Sequence, residues 1–391
     1  MSDPTHVYLN LDVVNNSQNE KQQLIFNETR NMPFLTNSQD YFCSVIRFTL
    51  QTSNSLPVMI PEILTGQSDH NKTVYAITLS LTKYTRDQIG TITSDTYGAS
   101  SYVDYTPLDF TQPIPAQPSS RVDMSSGYYF IYNINDWVDM VNNTFKILTG
   151  QVITRFLNNG ITVSFKQPFI SFDINSGLMT IHKDNSVDAI GSSGNYELKI
   201  SFNAKLYNIL PFSSKLEQYS PIGATIQNTN YILNIFNKSD SNVNTILSSG
   251  NAYDRYITLQ TEFSPISIMN PIRNVYFTSN TLPIVPTLVS PPKIIGDTNM
   301  SVSSVSGDLS NIIADYSIPV SAQNNYNGEI IYQPSAEYRL ISMNSSTNLN
   351  RVDVQAFWES KNGLSYPLYL PAGCCANLKL LFRHVRFNIN Y

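Results

Sequence analysis

The residues best equipped for chemistry are the adjacent thiols in 371-PAGCCANLKLLFRH-384. They are either a reactive or metal-binding site or the start of a structural strand. Neighbouring side chains on a strand point to opposite faces, so Cys374 and Cys375 cannot share one tetrahedral zinc without distorting the backbone. The nearest imidazole in sequence, His384, lies outside ligand spacing, and His6, His70 and His182 form no His-x-His or His-Glu-x-x-His pattern. With Cys43 the chain holds three cysteines, an odd and sparse set that builds no disulfide framework and fits folding in a reducing compartment. The expectation is small buried thiols after the turn at Pro371-Ala372-Gly373, with no metal and no cofactor.

Other catalytic patterns are missing from the sequence. It has no Gly-x-Ser-x-Gly elbow, no Gly-rich phosphate loop and no Gly-x-Gly-x-x-Gly fingerprint. Asp173, Asp184, Glu337, Asp353 and Glu359 are acids that distant strands can bring together, but no pattern links them, and acids at strand ends are usually solvated. No catalytic residue is assigned, and the chain reads as a non-enzyme. The tyrosines of 126-SGYYFIYNIN-135 are suited to stacking on sugars, although alternation sends half of such side chains into a core.

Charge and hydropathy exclude further classes. A net charge of -5, with no long window of clustered Lys and Arg, gives too weak a field to hold a nucleic-acid backbone. The opening MSDPTHVYLNLDVVNN has neither a basic n-region nor an apolar h-region. No apolar run approaches the roughly 20 residues of a membrane helix. The expectation is a soluble, unsecreted chain with no direct nucleic-acid or membrane binding.

The elements that must position any site are strands. Of the 391 residues 41% are hydrophobic and only 14% charged, with many Tyr, Phe, Asn, Ser and Thr, the usage of pleated, half-buried surfaces and polar turns. Period-two alternation runs through Val7–Val13, Ile46–Leu50, Tyr75–Leu81, Ile161–Phe165, Leu198–Phe202 and Val352–Trp358. Within 135–160, Trp137, Val141, Phe145, Leu148, Val152 and Phe156 recur at three and four, which predicts one amphipathic helix lying on a sheet, capped by Asn135 or Asp136 and stopped by Gly160. The Thr-, Ser- and Pro-rich stretch 86–125 reads as a long loop, and the proline-bearing 262–325 as a second irregular region. No internal repeat is visible.

The strings 332-YQPSAEYRLISM-343, 352-VDVQAFWESKNGLSYPLYLPAG-373, 377-NLKLLFRHVRFN-388 and 269-MNPIRNVYFTSNTLPI-284 resemble, in this order, the C-terminal half of the minor capsid, or penton, proteins of Sputnik-like virophages and related polinton-like viruses. The 126–159 strand and helix and 168-PFISFDINSGLMTI-181 are similar too. The resemblance implies an all-β chain: a single jelly-roll β-sandwich with an inserted β-rich domain carrying the helix. It places the jelly roll at 1–85 and 262–391 and the outward-facing insertion at 86–261. It also implies a homopentamer capping each icosahedral vertex, touching the major capsid protein of the same particle. Such a protein is found in the virion and assembled in host cytoplasm, and its inserted domain is placed to meet a host receptor or glycan. The alternatives are a host-attachment or glycan-binding spike, and a major capsid protein with two jelly rolls, which needs about sixteen strands and fits this length poorly. Ring-interface candidates are Arg273 and Arg383, whose planar forks can bridge carboxylates, and Trp358, which also suits a core.

Overall fold

The computed structural model describes residues 4–51, 55–86, 91–110, 112–115, 122, 124, 126–187, 196–217, 221–226, 229–235, 243–247, 253–288, 309–318, 329–334 and 339–388. Strands dominate and helices are few. The chain divides into two compact units, one drawn from Met1–Pro57, Pro271–Val320 and Asn324–Tyr391, the other from Val58–Asn270. Residue 85, where the sequence reading ends the first segment, falls inside the strand Lys72–Arg86, which pairs only within the second unit.

Among the described residues the first unit has eight strands of four residues or more. In chain order they are His6–Val14, Ile25–Thr29, Tyr41–Gln51, Ile272–Thr278, Ile312–Tyr316, Glu329–Tyr332, Arg351–Ser360 and Cys375–His384. One sheet carries the first, eighth, third and sixth in that order, and the other the second, seventh, fourth and fifth. Every one of these pairings is antiparallel. Inward alternation is clean on the seventh strand, where Val352, Val354, Ala356 and Trp358 are all buried. The two apolar faces meet in an aromatic stack. The Phe48 ring lies 4.8 Å from Phe277 and 6.4 Å from Phe26, and Phe277 lies 6.1 Å from Tyr316.

Alternation along Tyr41–Gln51 changes phase midway. Lys379 opposes Arg47 but Leu380 opposes Val45, so Ile46 is an extra residue, a bulge. Phe48 and Leu50 face inward on one side of it, while Val45, Cys43 and Tyr41 do so on the other. The expected run Ile46, Phe48, Leu50 therefore loses its first member. The region 262–325 is also more regular than expected: 272-IRNVYFT-278 is an inner strand and 312-IIADY-316 pairs beside it, because the prolines fall outside both runs.

In the second unit the helix spans Ile134–Asn158, with Asn133 rather than Asn135 or Asp136 as its cap: the Asn133 side chain accepts from the Asn135 N–H at 3.0 Å. Gly160, at φ 74, follows its end. All six residues of the expected stripe are buried. Trp137 meets Tyr75 edge-on at 5.2 Å and Phe156 meets Tyr97 at 4.9 Å, on the sheet that contains Lys72–Arg86 and Ile92–Asp104. A second sheet is tied to the helix by Asn142. Its amide accepts from Ile170 N–H at 2.7 Å and donates to Ile170 O at 2.9 Å, satisfying the outer edge of Phe169–Phe172.

Two readings of this region are corrected. Ile92–Asp104 is a strand, not loop, and pairs along Lys72–Arg86. Crowding accounts for Gly98, under Pro221, whereas Thr93, Ser94 and Asp95 are exposed and polar for that reason. Residues 74–82 are buried on both faces, so small residues are needed where chain packs flat against the sheet. The segment 221–226 lies along this strand: Gly98 N–H donates to Ile222 O at 2.9 Å, and Ser100 Oγ accepts from the N–H groups of Thr225 and Ile226, each at 2.8 Å. The second correction is 161–165, where Val163 and Phe165 are buried alternately but no ladder forms; the next amide, Lys166 N–H, donates to Asp184 at 2.6 Å instead.

A Cβ on Gly98 would sit 2.6 Å from Pro221 Cγ, against a ring that cannot rotate away. Gly98→Ala is expected to destabilise the second unit by about 1–3 kcal/mol. Wild-type denaturant midpoints in that variant would show that 221–226 does not pack on this strand.

Candidate functional site

The outer face of the second sheet of the first unit follows from the same alternation. With Val275, Phe277, Ala356 and Trp358 turned inward, Tyr276 and Phe357 are left half-buried on the other side, stacked at 5.5 Å with their planes 14° apart. Burial raises the Tyr276 hydroxyl above its ordinary range, so it stays a neutral hydrogen-bonding group. Beside them Arg273 is exposed. Its Nη1 lies 3.5 Å from Glu359 Oε1, while Asn274 Nδ2 donates to Glu359 Oε2 at 3.3 Å. With Arg273 exposed and the contact at the long end of the range, the pair is worth about 0–1 kcal/mol, weak as an internal brace.

The three interface candidates do not converge. Trp358 is buried and stacks on Tyr366 at 4.7 Å, inside the sandwich. Arg273 is exposed near the start of its strand, next to Glu359. Arg383 belongs to the other sheet, opposite His6 and Phe42, half-buried and with its Nε enclosed without a hydrogen-bond partner.

The thiols are only partly as expected. Cys43 is buried and desolvation pushes it up to about 12, an inert packing group. Cys374 is half-buried and Cys375 exposed, against the expectation that both are buried. The turn before them is tied down by its backbone. Gly373 N–H donates to Asn15 O at 2.8 Å, Asn15 N–H to Cys374 O at 3.0 Å, and Cys375 N–H to Gln51 Oε1 at 2.9 Å. The pleat begins only at Cys375, which therefore takes the outward position, and Ala376 is the first to turn in.

The acids are held by local structure. Asp353 Oδ1 accepts from Ser279 Oγ at 3.0 Å, Asn280 N–H at 3.1 Å, and Thr281 N–H and Oγ1 at 2.9 and 2.7 Å. Burial alone would raise that carboxyl, but these bonds outweigh it and hold it below the usual range. Asp173 organises the 173–177 turn through Asn175 and Ser176. Glu337 lies outside the described residues. Among the described residues no group of three or more His, Cys, Asp or Glu is placed to hold a metal. Of the tyrosines offered for sugar stacking, Tyr128 and Tyr129 are buried, 4.9 Å apart and packed with Tyr105, while Tyr132 is half-buried.

One polar cluster escaped the sequence reading. His182, Lys183 and Asp184 are consecutive and all buried in the second unit. His182 stacks on Phe169 at 4.3 Å, its Nε2 lies 2.9 Å from Ser171 Oγ, and burial lowers it to about 4. Lys183 Nζ donates to Ile235 O at 2.8 Å, and Asp184 accepts from Lys166 and Ser186 N–H. The only sequence signal was a polar triplet closing an apolar strand.

Comparison with known proteins adds a family. The family model described as Sputnik minor capsid protein V18/19 matches residues 7–384. Protein V18 of Sputnik virophage is 26% identical over 128 residues, covering 31% of this chain and 68% of that protein. A chain in the cryo-EM structure of the Sputnik virophage superposes with a TM-score of 0.75 at 20% identity, over 98% of this chain and 99% of that one. The crystallised mavirus penton protein gives 0.56 at 16% identity, over 98% and 100%. These likenesses establish a shared fold.

The buried histidine carries a pH consequence. His182 is neutral in the folded unit down to about pH 4, whereas its ordinary value is 6.5, so between these the unfolded chain binds the extra proton. Stability contributed by neutral His182 is lost as pH falls from 6.5 towards 4. The thermal midpoint is expected to drop between pH 7 and 5 by the equivalent of ~2 kcal/mol more in the wild type than in His182→Gln. Equal drops in the two proteins would mean that His182 is already solvated in the fold.

Proposed function

This chain belongs to the Sputnik minor capsid protein V18/19 family, and from that membership we propose that it acts as the penton, five copies closing a ring at each icosahedral vertex of the particle. The first unit is the ring-forming module and folds as a single jelly roll. Supporting this is its strand order, first-eighth-third-sixth facing second-seventh-fourth-fifth, the winding of an eight-stranded jelly roll. The second unit enters between the third and fourth strands and is the part directed away from the shell, where a host receptor or glycan would be met. A double jelly-roll major capsid protein is disfavoured, because the first unit already uses eight strands and the second contains a 25-residue helix packed on its sheets.

The mechanism is contact, with no bond chemistry. Fivefold closure needs two different patches on each copy, one meeting the other on the neighbour. The half-buried Tyr276–Phe357 pair with Arg273 is one candidate patch, and the sheet face around Arg383 another. Arg273 is exposed and can take a second carboxylate, whereas the Arg383 Nε is enclosed and a neighbour could reach only the rest of that half-buried side chain. Neighbouring major capsid proteins would take up the remaining perimeter, with assembly in host cytoplasm.

Native mass of the purified protein, followed by class averages, tests the reading. A mass of five chains with fivefold averages is expected, and trimers or monomers under all assembly conditions would refute it. Removal of residues 383–391 deletes His384, whose N–H donates to Thr5 O at 3.0 Å and whose ring lies 5.0 Å from Tyr41. That truncation is expected to lower the thermal midpoint by ~5 °C and to abolish the ring; normal assembly of the truncated chain would remove Arg383 from the interface.

A further inference from the structure

Both close partners of the His182 ring lie on one strand. Phe169, directly opposite in the ladder, stacks on it at 4.3 Å with the planes 8° apart, and Ser171 Oγ lies 2.9 Å from Nε2. Whichever of that pair donates, Nδ1 is enclosed with no hydrogen-bond partner. The strand concerned, Phe169–Phe172, is four residues long and forms the edge of its sheet, beside Met179–Asp184. Asn142 holds its outer side through Ile170. The charged groups around the ring are engaged elsewhere. Asp184 accepts from the Lys166 and Ser186 N–H groups, and Lys183 turns to the opposite face, where its Nζ donates to Ile235 O. On the other neighbouring strand Thr258 is opposite, Tyr256 is edge-on to the imidazole at 6.3 Å, and Arg255 is exposed. The helix Ile134–Asn158 presents Asn142 to the edge strand and keeps Asp139 and Lys146 exposed. Among the described residues no carboxylate bonds the ring.

We infer that His182 is a proton-operated clip: on taking up a second ring proton it releases the edge strand Phe169–Phe172 from Met179–Asp184 and opens that side of the sheet. A protonated ring carries N–H on both nitrogens. Ser171 can turn its hydroxyl to accept from Nε2, but the Nδ1–H would be a charged donor shut away from water and unpaired. Stacking the cation on Phe169 offsets only part of that cost, because no carboxylate balances the charge. Parting the two strands lets water reach Nδ1, and the ladder to be undone is four residue pairs long. Opening bares the edge of Met179–Asp184 and the buried Ile170, so a sheet closed at neutral pH offers an unpaired, apolar strand edge in acid. The clip lies wholly in the second unit and does not depend on the ring.

Amide hydrogen exchange of the full chain at pH 7 and pH 5, corrected for the intrinsic effect of pH on exchange, tests the clip. With the ring titrating at about 4 when enclosed and 6.5 when open, the open fraction rises roughly twentyfold over that interval. Protection of 169–172 is expected to fall by that factor in the wild type and to stay level in His182→Gln. At both pH values 169–172 is expected to exchange faster than 75–81 of the same unit and, unlike it, to be indifferent to low urea, the mark of a local opening that exposes little surface. Level protection in the wild type, an undiminished fall in His182→Gln, or exchange of 169–172 in step with 75–81 overturns the proposal. Asn142→Ala provides a second variant should His182→Gln fail to fold. It removes the other tie on the strand, so 169–172 should exchange faster at both pH values with the same roughly twentyfold ratio, and a ratio near one refutes the clip.

Discussion

Among the described residues of the first unit the strand His6–Val14 has one antiparallel neighbour, Cys375–His384, and that strand also pairs with Tyr41–Gln51, so the sheet has no middle until the last strand arrives. Everything else there depends on that non-local pairing. Phe48 gains its contact with Phe277 only once both sheets exist, and the Asn15 to Gly373 bonds can form only after the strands align. Contacts of such separation are slow to find, because the loop-closure entropy is lost before the contact rewards it. The second unit is built differently. Its ladders join residues between 72 and 260, and one helix covers its sheets, so it can condense from a continuous stretch of chain.

The two units also spend their small and polar residues differently. In the second unit, Thr78 bonded to Thr229 at 2.6 Å, Gly98 under Pro221 and Ser100 under Thr225 and Ile226 show one sheet compressed on a side where bulk has no room. In the first, polar groups gather at the rims. The fourfold-bonded Asp353 pins the 279–281 turn, and Asn377 accepts from Arg47 on the outer face. Charge is scarce throughout, with 29 acids and 24 basic residues in 391, so contact surfaces can be covered at little desolvation cost.

Much of this was legible in the sequence, for identifiable reasons. The helix was visible because six apolar residues at helical spacing are hard to mistake for a strand, whereas its cap lay two or three residues earlier than Asn135 or Asp136, since Asn133 is an equally competent cap. The strand Ile92–Asp104 was invisible, because its exposed start and the small residues around Gly98 are written in Ser, Thr, Gly and Ala, the same letters as a loop. The bulge at Ile46 was hidden because a phase change of one residue reads as a short lapse in alternation. For the site, Arg273 and Arg383 were marked by residue type alone, and Trp358 proved to be core.

The extra residue at Ile46 also acts as an index mark. A strand pair without irregularities can slide by two residues and still present the right face, and flanking loops of this length would tolerate the slip. With the bulge, Val45 fits only against Leu380 and Arg47 only against Lys379, so a slid pairing would force one half of the strand to turn its polar side to the core. A single inserted position thereby fixes the phase of Tyr41–Gln51 against Cys375–His384 and, with it, where Arg383 and the Cys374–Cys375 turn stand relative to that strand. For a sheet whose pairing closes only when its last strand arrives, that fixed phase is a manufacturing tolerance written into the backbone.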